Sequence, residues 1–283
     1  RPPRSTLFPY TTLFRSTGSY NTALGYSALS SNTTADNNTA VGHTALTSNT
    51  TGANNTAVGQ AAGDALTTGE ENLAIGSNSL SAAVGSGKNT AVGAYALRND
   101  TEGESSVAVG HQALNAQNFT TATSAYNVAV GANAGVSATT GQYNTLIGGL
   151  TGDALTSSNN NVAIGYQALS TDTLGTKTVA VGVDALLNQN FTTNTDSFNV
   201  AMGYHAGRDV TTGTENTLIG ALSGDAITTG STNTLVGYLS GSAISTGGAN
   251  TAIGRKAMEA TTTSSDSVAV GSNALRVNTT GGS

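Results

Sequence analysis

The stretch that decides the fold is Asn38-Thr39-Ala40-Val41-Gly42. It returns seventeen residues later as Asn55-Thr56-Ala57-Val58-Gly59 and then, varied, as Asn72-Leu73-Ala74-Ile75-Gly76. The pattern Asn-Thr/Val-Ala-Val/Ile-Gly occurs fifteen times in the 283-residue chain, with its glycines running from Gly25 to Gly271. Twelve of the fourteen intervals between those glycines are 17 residues; the other two, Gly110 to Gly131 and Gly182 to Gly203, are 21. A period held over varied fillings marks stacked structural units. Low-complexity disorder would drift in phase.

Each unit is numbered from its Asn as position 1. Position 1 is Asn in twelve of fifteen units, position 4 is Leu, Val, Ile or Met in all fifteen, position 5 is the Gly, and position 8 is Ala, Ser or Thr throughout. The apolar patches are three or four residues long, rich in β-branched side chains and bounded by Asn, Gly or Thr. That is a short strand between turns; a helix would need apolar residues at three- and four-residue intervals over a longer run. Seventeen residues fit one coil of a solenoid with Gly or Asn at its corners. The repeat therefore predicts an all-β fold, a parallel β-solenoid of about fifteen coils over residues 17–283. At about 4.8 Å per coil the rod is roughly 70 Å long. The position-4 residues are expected to stack as one inward core column: Val41, Val58, Ile75, Val92, Val109, Val130, Ile147, Ile164, Val181, Met202, Ile219, Val236, Ile253 and Val270.

Two substitution patterns point to a shared core. Position 9 is Leu or Met in nine units and Gly in six; in five of those six, position 12 becomes a large aliphatic (Leu66, Leu155, Val210, Ile227, Ile244), the sixth having Ala138. Each coil thus supplies one large apolar side chain from either of two corners. Positions 3 and 7 also turn to Leu together, at Leu146/Leu150, Leu218/Leu222 and Leu235/Leu239, which suggests contact within a coil. The position-1 Asn suits either a side-chain ladder between coils or a turn tolerant of left-handed φ.

Charged residues are 9% of the chain, net charge is −6 and there is no Cys or Trp. Cysteine-ligated metals and disulfide scaffolds are excluded, and the acidic balance excludes a basic nucleic-acid footprint. No apolar run approaches the ~20 residues of a membrane-spanning helix. All three prolines, Pro2, Pro3 and Pro9, fall in residues 1–16, and residues 6–16 resemble a translated sequencing-library adapter. Residues 1–16 are expected to be a non-native or disordered leader outside the solenoid.

Asn161-Val162-Ala163-Ile164-Gly165 and Ser267-Val268-Ala269-Val270-Gly271 resemble the head repeat of the YadA-like trimeric autotransporter adhesins. The longer form, as at residues 55–59, is more similar to repeats of bacterial and phage fibre proteins. The resemblance implies a left-handed β-roll, three chains side by side, and a place on the cell surface or on a virion fibre. It also implies that this chain is a fragment of a longer fibre, anchored in an outer membrane through a further C-terminal region in the adhesin case. The partners it implies are further copies of the chain, as a homotrimer, and a host-surface or matrix receptor.

No catalytic constellation is legible. His43, His111 and His205 lie on coils far apart, and Asp64, Asp153 and Asp225 share position 10 on coils that are not adjacent. Calcium-binding nonapeptides, phosphate loops and nucleophile elbows are missing from the sequence, so neither cofactor nor enzymatic activity is expected. The reading is a non-enzymatic extracellular structural and adhesive fibre module, with a phage-type tail-fibre shaft as the alternative. An ice-binding solenoid, suggested by threonines at position 13, is a further one. The two 21-residue units carry the same insertion, Gln117-Asn118-Phe119-Thr120-Thr121 and Gln189-Asn190-Phe191-Thr192-Thr193. Asn118, Phe119, Asn190 and Phe191 are the candidate contact residues, since insertions in solenoids map to one face and aromatics anchor contacts. The alternative for both Phe side chains is a clasp over a coil edge.

Overall fold

The computed structural model describes residues 16–277. They form a parallel β-solenoid with one sheet of fifteen three-residue strands, stacked in sequence order from Thr22–Leu24 to Val268–Val270. The register is unit upon unit: Thr39, Ala40 and Val41 face Thr56, Ala57 and Val58. The 21-residue units keep it, with Val107 opposite Val128 and Val179 opposite Val200, so their extra residues are pushed out of the sheet. There they make two small parallel pairs, Gly103–Glu104 with Thr123–Ser124 and Gly175–Thr176 with Thr195–Asp196. No helix occurs among the described residues.

The coils are tied by backbone hydrogen bonds far beyond the strands. In the third coil the N–H groups of Thr56, Gly59, Ala61 and Gly63 donate to Asn72, Val41, His43 and Ser79 at 2.8–2.9 Å, two coils being engaged at once. The tight turns need left-handed residues at positions 7, 9 and 17 of each coil, such as Thr44 (φ 57°), Leu46 (φ 49°) and Asn54 (φ 60°). Position 5 is more demanding: its glycines have φ between 125° and 144°, and at Gly165 a Cβ would overlap the carbonyl of Gly182 in the next coil. Only glycine permits both that dihedral and that approach.

The interior is narrow. Alternation along a three-residue strand sends position 3 one way and positions 2 and 4 the other. Position 3 points inward: Ala40, Ala57, Ala91 and Ala108 are fully buried, beside position-8 Ala45 and Ala62 and position-9 Leu46, Leu97 and Leu114. The position-4 column is therefore corrected. Val41, Val58, Ile75, Val92, Val109, Val130, Ile147, Ile164, Val181, Met202, Ile219, Val236, Ile253 and Val270 do stack, but on the outer face, half-buried or exposed. Most cross-sections hold Ala at positions 3 and 8 with one large side chain. Three, where position 9 is Gly, hold two large ones, Leu146 with Leu155, Leu218 with Ile227 and Leu235 with Ile244, and an inward Val or Ile at position 4 besides these would overfill them.

The exchange between positions 9 and 12 is as expected. Where position 9 is Gly, the large position-12 side chain occupies the core: Leu66, Val210, Ile227 and Ile244 are fully buried and Leu155 nearly so. A Cβ on Gly207 would stand 3.3 Å from Val210 Cγ2. The partner of the position-3 leucines differs from the expected Leu at position 7. Leu146 fills space left by Gly152, where a Cβ would come within 2.9 Å of its Cδ2, while Leu150 stays half-buried at the edge.

Position 1 forms a ladder. Asn55 donates from Nδ2 to the Gly69 carbonyl of its own coil (2.8 Å), and its Oδ1 accepts the backbone N–H of Asn72 in the next (3.0 Å). Asn127, Asn144, Asn216 and Asn233 repeat both bonds. The left-handed turn residue is the one before the Asn, at position 17. Of the leader, residues 1–15 lie outside the described residues. Ser16, five residues before the first unit, packs against the first coil, its hydroxyl accepting from Asn32 Nδ2 at 3.1 Å and donating to the Thr33 carbonyl at 3.4 Å.

Candidate functional site

The outward face of the long sheet is made of positions 2 and 4. Position 2 is Thr, Val or Leu and position 4 is Val, Ile, Leu or Met, so no charged or amide side chain stands on it in any of the fifteen coils. Ile147 and Ile219 are 38% and 37% exposed, and Met202 43%. Fourteen rises of about 4.8 Å by about 10 Å of strand give a strip of about 670 Å². Eight of the fifteen position-2 residues are Thr, so the strip is uncharged along its length with a continuous aliphatic column at position 4.

Aromatic rims flank the strip. At the last residue of the unit, position 17 or, in the long units, 21, Tyr126 and Tyr143 stack with centroids 5.9 Å apart, and Lys177 Nζ sits 5.2 Å over the Phe198 ring while bonding Asp196 at 2.6 Å. At position 6, Tyr26, Tyr166, Tyr204 and Tyr238 are exposed. The position-13 threonines are spent inside the coil stack: Thr33, Thr50, Thr156 and Thr211 donate their hydroxyls to the position-13 carbonyl of the next coil at 3.0–3.1 Å.

The two insertions are clasps. Phe119 and Phe191 are each only 6% exposed, which corrects their place among exposed contact residues. A Cβ on Gly175 would lie 2.9 Å from Phe191 Cδ2, so the ring covers that glycine. The N–H groups of Phe119 and Phe191 donate to Asp100 Oδ1 and Asp172 Oδ1 at 3.1 and 3.0 Å. Asn118 and Asn190 accept from the hydroxyls of Thr101 and Thr173 at 3.0 and 3.1 Å, latching each loop to the coil below. What the loops expose is Asn118, Thr120, Thr121 and Ala122 in the first, and Thr192, Thr193 and Asn194 in the second, where Asn190 is half-buried.

The same clasps mend a break in the Asn ladder. In these two coils position 1 is Ser106 or Thr178, which has no amide. Gln117 replaces it from position 12: its Nε2 donates to Asp100 Oδ2 (2.6 Å) and Ser106 Oγ (3.1 Å), and its Oε1 accepts from Asn127 Nδ2 (2.9 Å). Gln189 does the same with Asp172, Thr178 and Asn199. The chain of donors must end on a group that only accepts, which explains Asp at a fully buried site. Burial pushes the Asp100 and Asp172 carboxyls above the usual carboxylate range, against the pull of the Gln side chains and the Phe and Gly N–H groups. The sequence signal for this coupling is the joint appearance of Asp, Ser or Thr, and Gln around each insertion.

The histidines remain far apart. His43 stacks on Tyr26 at 5.3 Å, His111 meets Tyr95 edge-on at 6.0 Å, and His205 Nε2 lies 3.0 Å from Asp184 Oδ2. Burial raises the Asp64 and Asp225 carboxyls, yet each stands without a second carboxylate on an adjacent coil's position 10. Among the described residues no three His, Asp or Glu side chains are placed to hold a metal, and no helix is long and apolar enough to cross a membrane. Comparison with known proteins finds no family model that matches the chain and no curated protein that matches it.

Proposed function

We propose that this chain is a non-enzymatic, extracellular fibre module with an adhesive surface, its apolar sheet face packed against further copies of itself. The observation that carries the reading is the uncharged strip of positions 2 and 4. Its area, about 670 Å² per chain, approaches the ~800 Å² per partner of a standard stable interface. A strip of this kind running the length of a rod favours lateral, parallel association with copies of the same period. Three copies are what the YadA-like resemblance implies, and the assembled rod then presents its rims and loops to a host surface or matrix.

The chain has no cysteine, which allows a direct test. Ile219→Cys on the strip should give interchain disulfides on mild oxidation, whereas Ser48→Cys at position 11 should not. Equal crosslinking of the two, or none, would refute the packing. The adhesive part predicts that beads coated with the full chain retain host cells or matrix; beads that behave like uncoated ones would refute that part.

A further inference from the structure

Position 6 follows the glycine turn and stands on one rim of the sheet. It is Tyr166, Tyr204 and Tyr238 on every second coil, while Gly149, Val183 and Ala221 occupy the coil before each. The strict register makes the step two coils, about 9.6 Å. The three rings are 51%, 53% and 47% exposed. Tyr166 leans over the coil before it, since a Cβ on Gly149 would lie 3.7 Å from its Cδ2. Tyr204 is stacked by His205, with centroids 3.7 Å apart and planes 16° from parallel, and His205 is held in turn by Asp184. Beside the row, His205 Nε2 lies 3.0 Å from Asp184 Oδ2, Arg208 pairs with Asp209 at 2.9 Å, and Arg255 stands exposed at position 6 of the coil after Tyr238. From Gly149 to Tyr238 position 6 is thus an uncharged row of aromatic faces with small or aliphatic residues between them.

From this row we infer a binding platform for one extended strand of a neutral β-1,4-linked polysaccharide. A pyranose ring has an apolar face of C–H groups that packs on an aromatic ring by dispersion. In a β-1,4 chain successive sugars are flipped, so the same face returns at every second sugar, a step close to the two-coil spacing. Three rings in line would each meet an equivalent sugar face. The uncharged residues at position 6 from Gly149 to Tyr238 suit a polymer without charge. An α-linked glucan curves away and meets one ring at a time, and the gain from simultaneous contacts is then lost. The inference deepens the adhesive reading and rests on it, by naming the class of surface polymer bound.

The test is native affinity electrophoresis of the full chain through gels containing soluble hydroxyethylcellulose, with soluble starch as the α-linked comparison. Retardation is expected in hydroxyethylcellulose alone. Tyr166→Ala/Tyr204→Ala/Tyr238→Ala should lower affinity at least tenfold with an unchanged melting temperature, while Tyr→Phe at all three positions should retain it. Should the triple Ala variant fail to fold, Tyr238→Ala alone shortens the row to two rings and should weaken retardation about threefold. No retardation of the parent chain, equal retardation in starch, or unchanged affinity without the rings would overturn the platform. Light scattering on the same samples separates this from the assembly reading. An oligomer that runs unretarded sinks the platform only, a retarded monomer sinks the assembly only, and loss of oligomer in the triple Ala variant would place the rings between copies and overturn the platform.

Discussion

Exchanging the two core corners of one coil tests the packing argument quantitatively. The third coil has Gly63 at position 9 and Leu66 at position 12, whereas the second has Leu46 and Asn49. Leu66 is fully buried, so Leu66→Asn opens a cavity beside a glycine, at a cost of about 2–5 kcal/mol. Gly63→Leu alone overfills the same space: its Cβ would stand 3.2 Å from Leu46 Cδ2 and 3.9 Å from Leu66 Cδ1. Overpacking of that kind costs about 1–3 kcal/mol. The left-handed φ of 55° at Gly63 adds to this for a Leu, by about 1–2 kcal/mol. Together the changes recreate the second coil's arrangement, in which Leu46 accepts φ 49° and Asn49 Nδ2 donates to the Gly52 carbonyl at 2.9 Å. The double variant should therefore lie within about 2 kcal/mol of the parent, with a coupling energy of at least about 2 kcal/mol. Urea denaturation of the four proteins, followed by far-ultraviolet circular dichroism, measures it. Additive losses in the double variant would refute the idea that one side chain serves one space from either corner.

Phe119→Ala and Phe191→Ala should each destabilise by about 3–5 kcal/mol, because each ring is buried over its coil; a melting temperature within a degree of the parent would show that the loops are free. Asp100→Asn/Asp172→Asn removes two carboxyls whose folded-state pKa is raised by burial. Such groups hold a proton more tightly when folded, so the parent loses stability as pH rises from the ordinary carboxylate value through the raised one. The melting temperature of the variant relative to the parent should therefore climb as pH rises above the ordinary carboxylate value, whatever its offset from the altered hydrogen bonds; a flat or falling difference would contradict the sign. Gly165→Val, at φ 132° and against the Gly182 backbone, should prevent regular stacking there and be read as increased hydrogen exchange in the adjoining coils; unchanged protection at Val181 and Gly182 would count against the close approach of the glycines.

The period, the strands, the register and the exchange between positions 9 and 12 were legible because each is a pattern repeated fifteen times under one geometric constraint. The direction of the position-4 column was not. Size suggested that Val41 or Ile75 would be core and Ala40 or Ala74 filler, but the interior is too thin for both, and only the two-residue alternation decides which side is inside. A signal was present in position 3, which is never anything but Ala or Leu, and is Leu only where position 9 is Gly. Phe119 and Phe191 misled for a related reason. A rare aromatic in an inserted loop reads as an anchor, and its burial depends on the Asp100 or Asp172 acceptor in the preceding coil and, for Phe191, on Gly175 beneath the ring. The mending of the Asn ladder by Gln117 and Gln189 is a contact between positions 12 and 1, invisible until the coil closes on itself.

The central claim is that the outward apolar strip is an interface between copies of this chain. Light scattering coupled to size exclusion measures it most directly, on the full chain and on Ile147→Lys/Ile219→Lys, whose new charges stand on the strip and leave the inward Ala and Leu side chains untouched. The account predicts a mass near three times 28.0 kDa for the parent and near one for the variant, with the same β-sheet signal in both. A parent that stays monomeric at tens of micromolar while fully folded, or a variant that keeps the parent's mass, would contradict it.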